Sequence, residues 1–153
     1  MSSQPQRTEE LLELIREGGT FAAGTVMDGR EMFGMIEGLL AEWAAPDFMT
    51  IMHSDSAVLE YRGVSGFREA LDDWMSPYER FRLSIDEVVV AGDQVVFLVK
   101  QLARTRHQSV DLETRSGSVW WLGEGEVKQV AFYLDHRGAL KAAGLDPDRQ
   151  PGE

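Results

Sequence analysis

The sequence VDLETRSGSVWWLGEGEVKQVAFYLD, residues 110–135, decides the fold of this chain. Its pattern predicts two long strands that fold back at residues 123–125 and end just before a closing helix. Successive side chains of a strand point to opposite faces, so the adjacent Trp120 and Trp121 must lie on opposite faces of the sheet. One face is therefore expected to meet helices or a cavity, and the other to meet solvent or a second subunit.

Two turns are compatible with this hairpin, and the first is a tight turn on residues 124–125. It pairs Trp120 with Gln129 across the two strands. Every second residue of the second strand then shares a face with Trp120. This register directs four residues toward the cavity: Trp120, Gln129, Tyr133 and Asp135.

The second compatible turn is a three-residue loop over residues 123–125, which shifts the pairing by one residue. Trp120 then pairs with Lys128 and Phe132 takes the cavity side, because a slip of one residue exchanges the two faces. We favour the tight turn, since an X-Gly pair suits it and the loop would line the cavity with Lys128. This choice places Trp121 on the outer face.

Upstream of the hairpin, helical patterns come first and strand patterns follow. Asp28 and Glu31 have the spacing of a capping box, at the start of a helix that Pro46 ends. Apolar residues at helical spacing predict a second helix that stops at Ser76. Strands are predicted over residues 50–53, 57–61, 81–90 and 94–106.

Helices followed by successive antiparallel strands indicate an α+β fold and not alternating βαβ units. We expect N-terminal helices packed on a strongly curved antiparallel sheet, which forms a cone with an internal pocket. Residues 1–27 are predicted to be a tail with a short helix over residues 9–16. Residues 28–145 are predicted to be the folded domain, and residues 146–153 a C-terminal tail.

Composition narrows the classes of function. The chain has 153 residues, a formal net charge of -11, three histidines and no cysteine. Phosphates repel such a chain, so we expect no nucleic acid and no membrane surface as a partner. Without cysteine and without metal-ligand spacing of the histidines, we expect no metal and no cofactor. Since the sequence shows no secretory signal and no apolar span, we expect a cytoplasmic protein.

Several local sequences together resemble a known family. They are EYRGVSGF at 60–67, VAGDQVV at 90–96, SVWWLGEGEV at 118–127, and YLD at 133–135 followed by ALKAAGL at 139–145. In this order they resemble the SnoaL-like (polyketide-cyclase and ketosteroid-isomerase-like) branch of the nuclear transport factor 2-like superfamily. The resemblance covers roughly residues 28–145, and it is more specific for fold than for function.

The resemblance implies a small-molecule-binding domain, with cofactor-independent acid/base chemistry of the isomerase, cyclase or hydrolase type on an apolar substrate as one hypothesis. Cyclases and epoxide hydrolases of the family place a carboxylate near the end of the last long strand. By that resemblance Asp135 is the candidate acid/base, assisted by Tyr133 or His53. Each residue also has a structural explanation, because Asp135 suits a helix cap, Tyr133 a half-buried strand, and His53 a backbone hydrogen bond.

The alternative hypothesis is a non-catalytic domain of the same fold that binds a ligand or a partner protein. It is favoured because catalytic sets of the family are incomplete. Residues 28–44 contain no tyrosine for an oxyanion hole. The strand over residues 95–106 contains no aspartate for the epoxide-hydrolase pattern.

Under either hypothesis an apolar small molecule is the expected ligand of the cone. The residues predicted to bind it are Trp43, Tyr61, Trp74, Gln101, Ser118, Trp120 and Gln129. Core packing is the alternative for Trp43 and Trp74, which recur at helical spacing. A homodimer through the outer sheet face is also expected, since back-to-back sheet dimers are usual in the family, with Val119 and Trp121 in the contact.

Overall fold

The computed structural model of this chain describes residues 22–54 and 56–149, together with Glu10 and Glu13. The predicted N-terminal tail and most of the helix predicted over residues 9–16 lie outside the described residues. The same holds for Asp55 and for residues 150–153 of the predicted C-terminal tail. The predicted domain boundaries stay predictions.

Within the described residues the chain forms three helices and seven strands. The helices are α1 (Gly29–Trp43), α2 (Gly63–Met75) and α3 (His136–Ala142). The strands are β1 (Val26–Asp28), β2 (Ala44–His53), β3 (Val58–Arg62), β4 (Tyr78–Ala91), β5 (Gln94–Thr105), β6 (Asp111–Gly123) and β7 (Glu126–Tyr133). No helix in the described part of the chain is long and apolar enough to cross a membrane.

The strands form one curved sheet in the order β1-β4-β5-β6-β7-β2-β3. Neighbouring strands are antiparallel except β2 and β7, which run parallel. Helices α1 and α2 pack on the concave face, where Phe48, Phe67 and Phe81 are fully buried in the main core. The α+β class and the cone of helices on a curved sheet are confirmed.

The start of α1 follows the predicted cap. Asp28 Oδ1 accepts hydrogen bonds from the backbone amides of Arg30 and Glu31, at 2.9 and 3.1 Å. These two amides have no partner inside the helix, so the carboxylate satisfies donors that the first turn leaves open. This cap sets the position from which α1 crosses the sheet.

The β6–β7 hairpin has the predicted tight turn but not the predicted register. Gly123 pairs with Glu126, which leaves a two-residue turn whose residues Glu124 and Gly125 have φ angles of 56° and 75°. Positive φ at both central positions is the geometry that matches the twist of a hairpin. Beyond the turn, a β-bulge adds Lys128 to β7 without a partner on β6.

The bulge exchanges the faces of β7. Trp120 pairs with Val130 and not with Gln129, which lies opposite Trp121. The predicted Trp120–Gln129 pairing is therefore wrong, and so is the predicted cavity-facing position of Gln129 and Tyr133. Trp120 faces the cavity as predicted, while Phe132 takes the position on β7 that Tyr133 was expected to hold.

Part of the convex face of the sheet is covered by the last helix of the chain. Helix α3 lies on β5 and β6, where a second buried cluster forms from Val96, Leu98, Val119, Ala139, Leu140 and Ala143. Val119 is fully buried there, and Trp121 packs against the same cluster. Of the two residues expected to contact a second subunit, Val119 is thus buried under α3, whereas Trp121 packs against the cluster and stays partly exposed.

Candidate functional site

A cavity lies between α1, α2 and the concave face of the sheet. Its empty volume is about 660 Å³, which includes space open to solvent. The helices contribute Met32, Phe33, Ile36, Leu39 and Trp74 to its wall. The sheet contributes Leu83, Ile85, Phe97, Val99, Trp120 and Phe132, together with the segment Ser116, Gly117 and Ser118.

The periodicity of each element explains which side chains reach the cavity. On α1, Met32, Phe33, Ile36 and Leu39 recur at helical spacing and form one apolar face. On β4 and β5, every second residue points inward, so the wall receives pairs two residues apart, such as Phe97 and Val99. The cavity is therefore built from regular elements and not from loops.

Aromatic rings hold the helices above the sheet. The ring of Phe33 on α1 lies 6.4 Å from Phe67 and 6.5 Å from Trp74, both on α2, and 6.3 Å from Phe81 on β4. Trp120 lies 6.5 Å from Phe132 in an edge-to-face arrangement. Such contacts stabilise a wall that is rigid and apolar.

Two serine hydroxyls are the polar side-chain groups of this wall. Ser116 Oγ accepts a hydrogen bond of 2.9 Å from Gln101 Nε2, and Ser118 Oγ accepts one of 3.0 Å from Trp120 Nε1. Gln101 is held in turn by Thr114, whose Oγ1 donates to Gln101 Oε1 at 3.3 Å. Ser116 and Ser118 are only 4% and 7% exposed, so both hydroxyls are buried.

No Asp, Glu, His, Lys, Arg or Tyr side chain of the described residues lines the cavity. A general acid or base must lie within hydrogen-bond reach of the atom that it serves. The described wall is therefore apolar and aromatic, and it offers a ligand no ionisable group. In the same part of the chain, no group of three or more His, Cys, Asp or Glu side chains could hold a metal ion.

The structure brings three of the predicted ligand-binding residues into the cavity wall: Trp74, Ser118 and Trp120. Gln101 lies directly behind the wall, where it donates to Ser116. Trp43 and Tyr61 pack in the main core without lining the cavity, which is the core role considered for Trp43. Gln129 lies on the outer face opposite Trp121.

The three predicted catalytic residues lie together, but on the outer side of the sheet. Asp135 precedes α3, and its Oδ1 accepts a 2.7 Å hydrogen bond from the backbone amide of Gly138. The ring of His53 stacks on that of Tyr133 with centroids 4.4 Å apart and planes at 16°. Burial raises the pKa of Tyr133 above its ordinary 10.0. None of the three lines the cavity.

Other residues of the wall were not predicted as ligand-binding. Phe132 was not predicted, because the register that we favoured directs it away from the cavity. Nothing in the sequence of β7 marks Lys128 as the extra residue that changes this register. Ser116 could have been found from the face rule, because it lies two residues before Ser118 on the same strand. The α1 residues Phe33 and Ile36 were predicted as an apolar helix face, a pattern that does not separate core from cavity.

No model of a known protein family matches this chain, and no curated protein matches it in sequence. Solved structures do match in fold. A candidate SnoaL-like polyketide cyclase from Jannaschia sp. CCS1 is 18% identical with a TM-score of 0.56, and the match covers 96% of this chain and 95% of that chain.

Two further solved structures share this fold. An NTF2-like protein of unknown function from Burkholderia pseudomallei K96243 is 17% identical with a TM-score of 0.56, over 88% of this chain and 92% of that chain. A protein with a ketosteroid isomerase-like fold from Catenulispora acidiphila DSM 44928, in complex with trimethylamine, is 16% identical with a TM-score of 0.53. This match covers 75% of this chain and 87% of that chain. Identities this low establish fold alone. The chain has the fold of the nuclear transport factor 2-like proteins.

Proposed function

We propose that this protein binds a neutral, apolar small molecule in the cavity between α1, α2 and the concave face of the sheet. The observation that carries this proposal is the composition of the wall, which consists almost entirely of aromatic and aliphatic side chains. A charged ligand would lose its hydration there without gaining an opposite charge from the described residues. A neutral ligand gains from burial of its apolar surface without that penalty.

An observation on a protein of the same fold supports a small-molecule ligand. The Catenulispora acidiphila protein with the same fold carries trimethylamine, a small organic molecule. The ligand of this chain is expected to contact Phe33, Trp74 and Trp120, whose rings face the cavity.

Acid/base chemistry is not assigned to Asp135, Tyr133 or His53. Asp135 already accepts a hydrogen bond from Gly138, and the other two rings stack on each other outside the cavity. None of the three lines the cavity in which we place the ligand. The function that we propose is therefore binding, without a catalytic step.

The test uses N-phenyl-1-naphthylamine, a neutral apolar dye whose fluorescence rises on burial. We expect saturable binding to the wild-type protein, with energy transfer from Trp74 and Trp120. The variant Val99→Phe places a larger side chain in the wall and should weaken binding about tenfold or more. Val58→Phe makes the same change at a position that is 59% exposed and outside the cavity, and should bind as the wild type does.

Two results would contradict this assignment. One is the lack of saturable binding to the folded wild-type protein. The other is equal affinity of the wild type and of Val99→Phe, which would place the dye elsewhere. Circular dichroism of each variant should accompany the titration, so that a loss of folding is not counted as a loss of binding.

The expected homodimer stays a prediction. Because Val119 is buried under α3, a dimer through the outer face would have to use the partly exposed Trp121 and the sheet surface that α3 leaves open. Sedimentation equilibrium over a range of concentrations measures the oligomeric state directly. A single species with the mass of one chain would contradict the dimer and leave the cavity proposal intact.

A further inference from the structure

We infer that residues 9–16 of this chain dock as an amphipathic helix on an apolar rim beside the cavity. The rim is formed by Met35 and Leu39 on α1 and by Val88 and Val90 near the end of β4. The inference concerns a contact within one chain, and it does not depend on a bound ligand.

The rim consists of apolar side chains that the described residues leave partly open. Met35 is 43% exposed, and Leu39, one helical turn further along α1, is half-buried and lines the cavity. Val88 pairs with Phe97 of the cavity wall, and Val90 lies two residues further on the same face of β4. Both valines are half-buried and pack against the main core. The rim is thus an apolar surface that continues the wall of the cavity outward.

The sequence of residues 9–16, EELLELIR, separates apolar and charged positions around a helix. At about 100° per residue, the apolar positions 11, 12, 14 and 15 fall within one arc of about 160°. The charged positions 9, 10, 13 and 16 fall within the opposite arc. Glu10 and Glu13 are described, and both are helical and exposed. Because residues three apart share a side of a helix, the charged side faces solvent and the apolar side requires a surface to cover it.

A helix of this length is marginal in water on its own, and packing of its apolar face is what stabilises such a helix. Burial of Leu11, Leu12 and Ile15 against the rim would remove apolar surface of both partners from water. The rim and the segment therefore each supply what the other lacks.

The rim lies within reach of the segment. The described chain resumes at Ala22, and Gly24 donates its backbone amide to the carbonyl oxygen of Ile85 at 2.7 Å. Ile85 lines the cavity and precedes Val88 on β4 by about 10 Å of strand. Residues 17–22 can span up to about 20 Å when extended, so they can bridge this distance. The short connection also holds the segment near the rim at a high effective concentration.

Charge favours the segment of the same chain over the rim of a second copy. Glu31 and Glu42 are exposed on the side of α1 that carries Met35. Two rims facing each other would bring these carboxylates together in a chain whose formal net charge is -11. The segment can instead cover the rim with leucine and isoleucine and direct its own carboxylates to solvent.

The first test uses disulfide formation, which is clean here because the chain has no cysteine. Leu12→Cys or Ile15→Cys is combined with Met35→Cys or Val90→Cys, which gives four double variants. A disulfide requires Cα atoms within about 7 Å, so at least one pair should oxidise within a single chain under mild conditions. Glu10→Cys with either rim cysteine is the matched control from the charged side of the segment and should remain reduced.

The second test measures how well the segment protects the rim. The thiol of a Met35→Cys variant is titrated with dithiobis(nitrobenzoate). Adding Leu12→Asp and Ile15→Asp should raise the rate of this reaction about fivefold or more, because the segment then leaves the rim. Adding Glu10→Gln and Glu13→Gln changes the solvent side of the same segment and should leave the rate unchanged. Circular dichroism of each variant shows whether the domain is folded.

Three results would overturn the inference. The first is the lack of a disulfide in all four double variants. The second is a disulfide that forms only between two chains in dilute solution, which would make a second copy the occupant of the rim. The third is an equal thiol reaction rate with and without the two aspartates. Neither test uses the dye, so a failure of dye binding would overturn the proposed function and leave this inference standing.

Discussion

The two faces of the sheet use the same strands and are closed in different ways. Along β6, Ser116, Ser118 and Trp120 line a cavity, while Val119 packs under α3 and a Cβ on Gly117 would meet Ala139 of that helix. On the concave side the helices stand away from the sheet and leave space. On the convex side the helix lies directly on the strands and leaves none.

The size of the side chains at each contact explains the difference. On the concave face, rings such as Phe33 and Trp74 stand between helix and sheet, so the backbones stay apart. On the convex face, Gly117 meets Ala139, and a Cβ built on the glycine would lie 2.6 Å from the Cβ of Ala139. Bulky aromatic contacts thus maintain a site, and small residues produce a closed core.

The largest effect is expected from a charge placed on the closed face. Val119→Asp buries a carboxylate under α3 at a position with no exposed surface, which should lower the free energy of unfolding by about 3–5 kcal/mol. Val58→Asp places the same charge at a strand position that is 59% exposed, so it should cost less than half as much. Urea unfolding of both variants measures the difference. Equal losses would show that α3 does not cover Val119.

A smaller effect is expected from adding a methyl group at the close contact between Gly117 and Ala139. Gly117→Ala adds a methyl group against Ala139 and should cost about 1–3 kcal/mol, with faster amide hydrogen exchange in α3. Gly123→Ala is the matched control on the same strand, where the added Cβ would lie 3.6 Å from the flexible end of Lys128. If both variants unfold at the same denaturant concentration, α3 does not lie closely on β6.

The turn of the hairpin could be predicted from the sequence, but the register could not. An X-Gly pair at Glu124 and Gly125 supplies the two positive φ angles of a tight turn, which is a local property of those residues. The bulge at Lys128 depends on how β7 curves between β6 and β2, and no residue type marks it. One unmarked residue was enough to exchange Tyr133 and Phe132.

The site shows the same division between local and tertiary information. Ser118 and Trp120 could be placed in the wall because they alternate along one strand, and Trp74 because it recurs at helical spacing, although that spacing also suits core packing. Asp135 has two local explanations, a cap and a cavity carboxylate, and only the position of α3 separates them. The hydrogen bond between Gln101 and Ser116 joins side chains of two strands, so it could not be predicted from the sequence.

The cap at α3 separates a structural carboxylate from a functional one. Asp135→Ala removes the acceptor of the Gly138 amide and should cost about 1 kcal/mol, whereas Asp135→Asn keeps a capping oxygen and should cost little. Dye affinity should be unchanged in both variants, because Asp135 does not line the cavity. Thermal unfolding and dye titration measure the two effects. Weaker dye binding by a stable Asp135→Asn variant would show that this carboxylate contributes to the binding site.

The smallest expected effect is on how the free energy of unfolding changes with pH. It compares Tyr133, which packs against the cluster under α3, with Tyr61, which packs against the main core. Burial raises the pKa of Tyr133 above 10.0, so as pH rises the unfolded chain loses this proton first. Its contribution to stability is complete below about pH 10 and is lost above it. Stability of the wild type should therefore fall more steeply above pH 10 than that of Tyr133→Phe, in urea unfolding at a series of pH values.

Salt then separates the two tyrosines. The pKa of Tyr61 is raised first by burial and then by the charges of Asp73 and Glu69, so its contribution should shrink when salt screens those charges. The contribution of Tyr133 has burial as its cause and should not respond to salt. If Tyr133→Phe follows the wild type at every pH, the Tyr133 ring is hydrated, and α3 does not close the convex face at the end of β7.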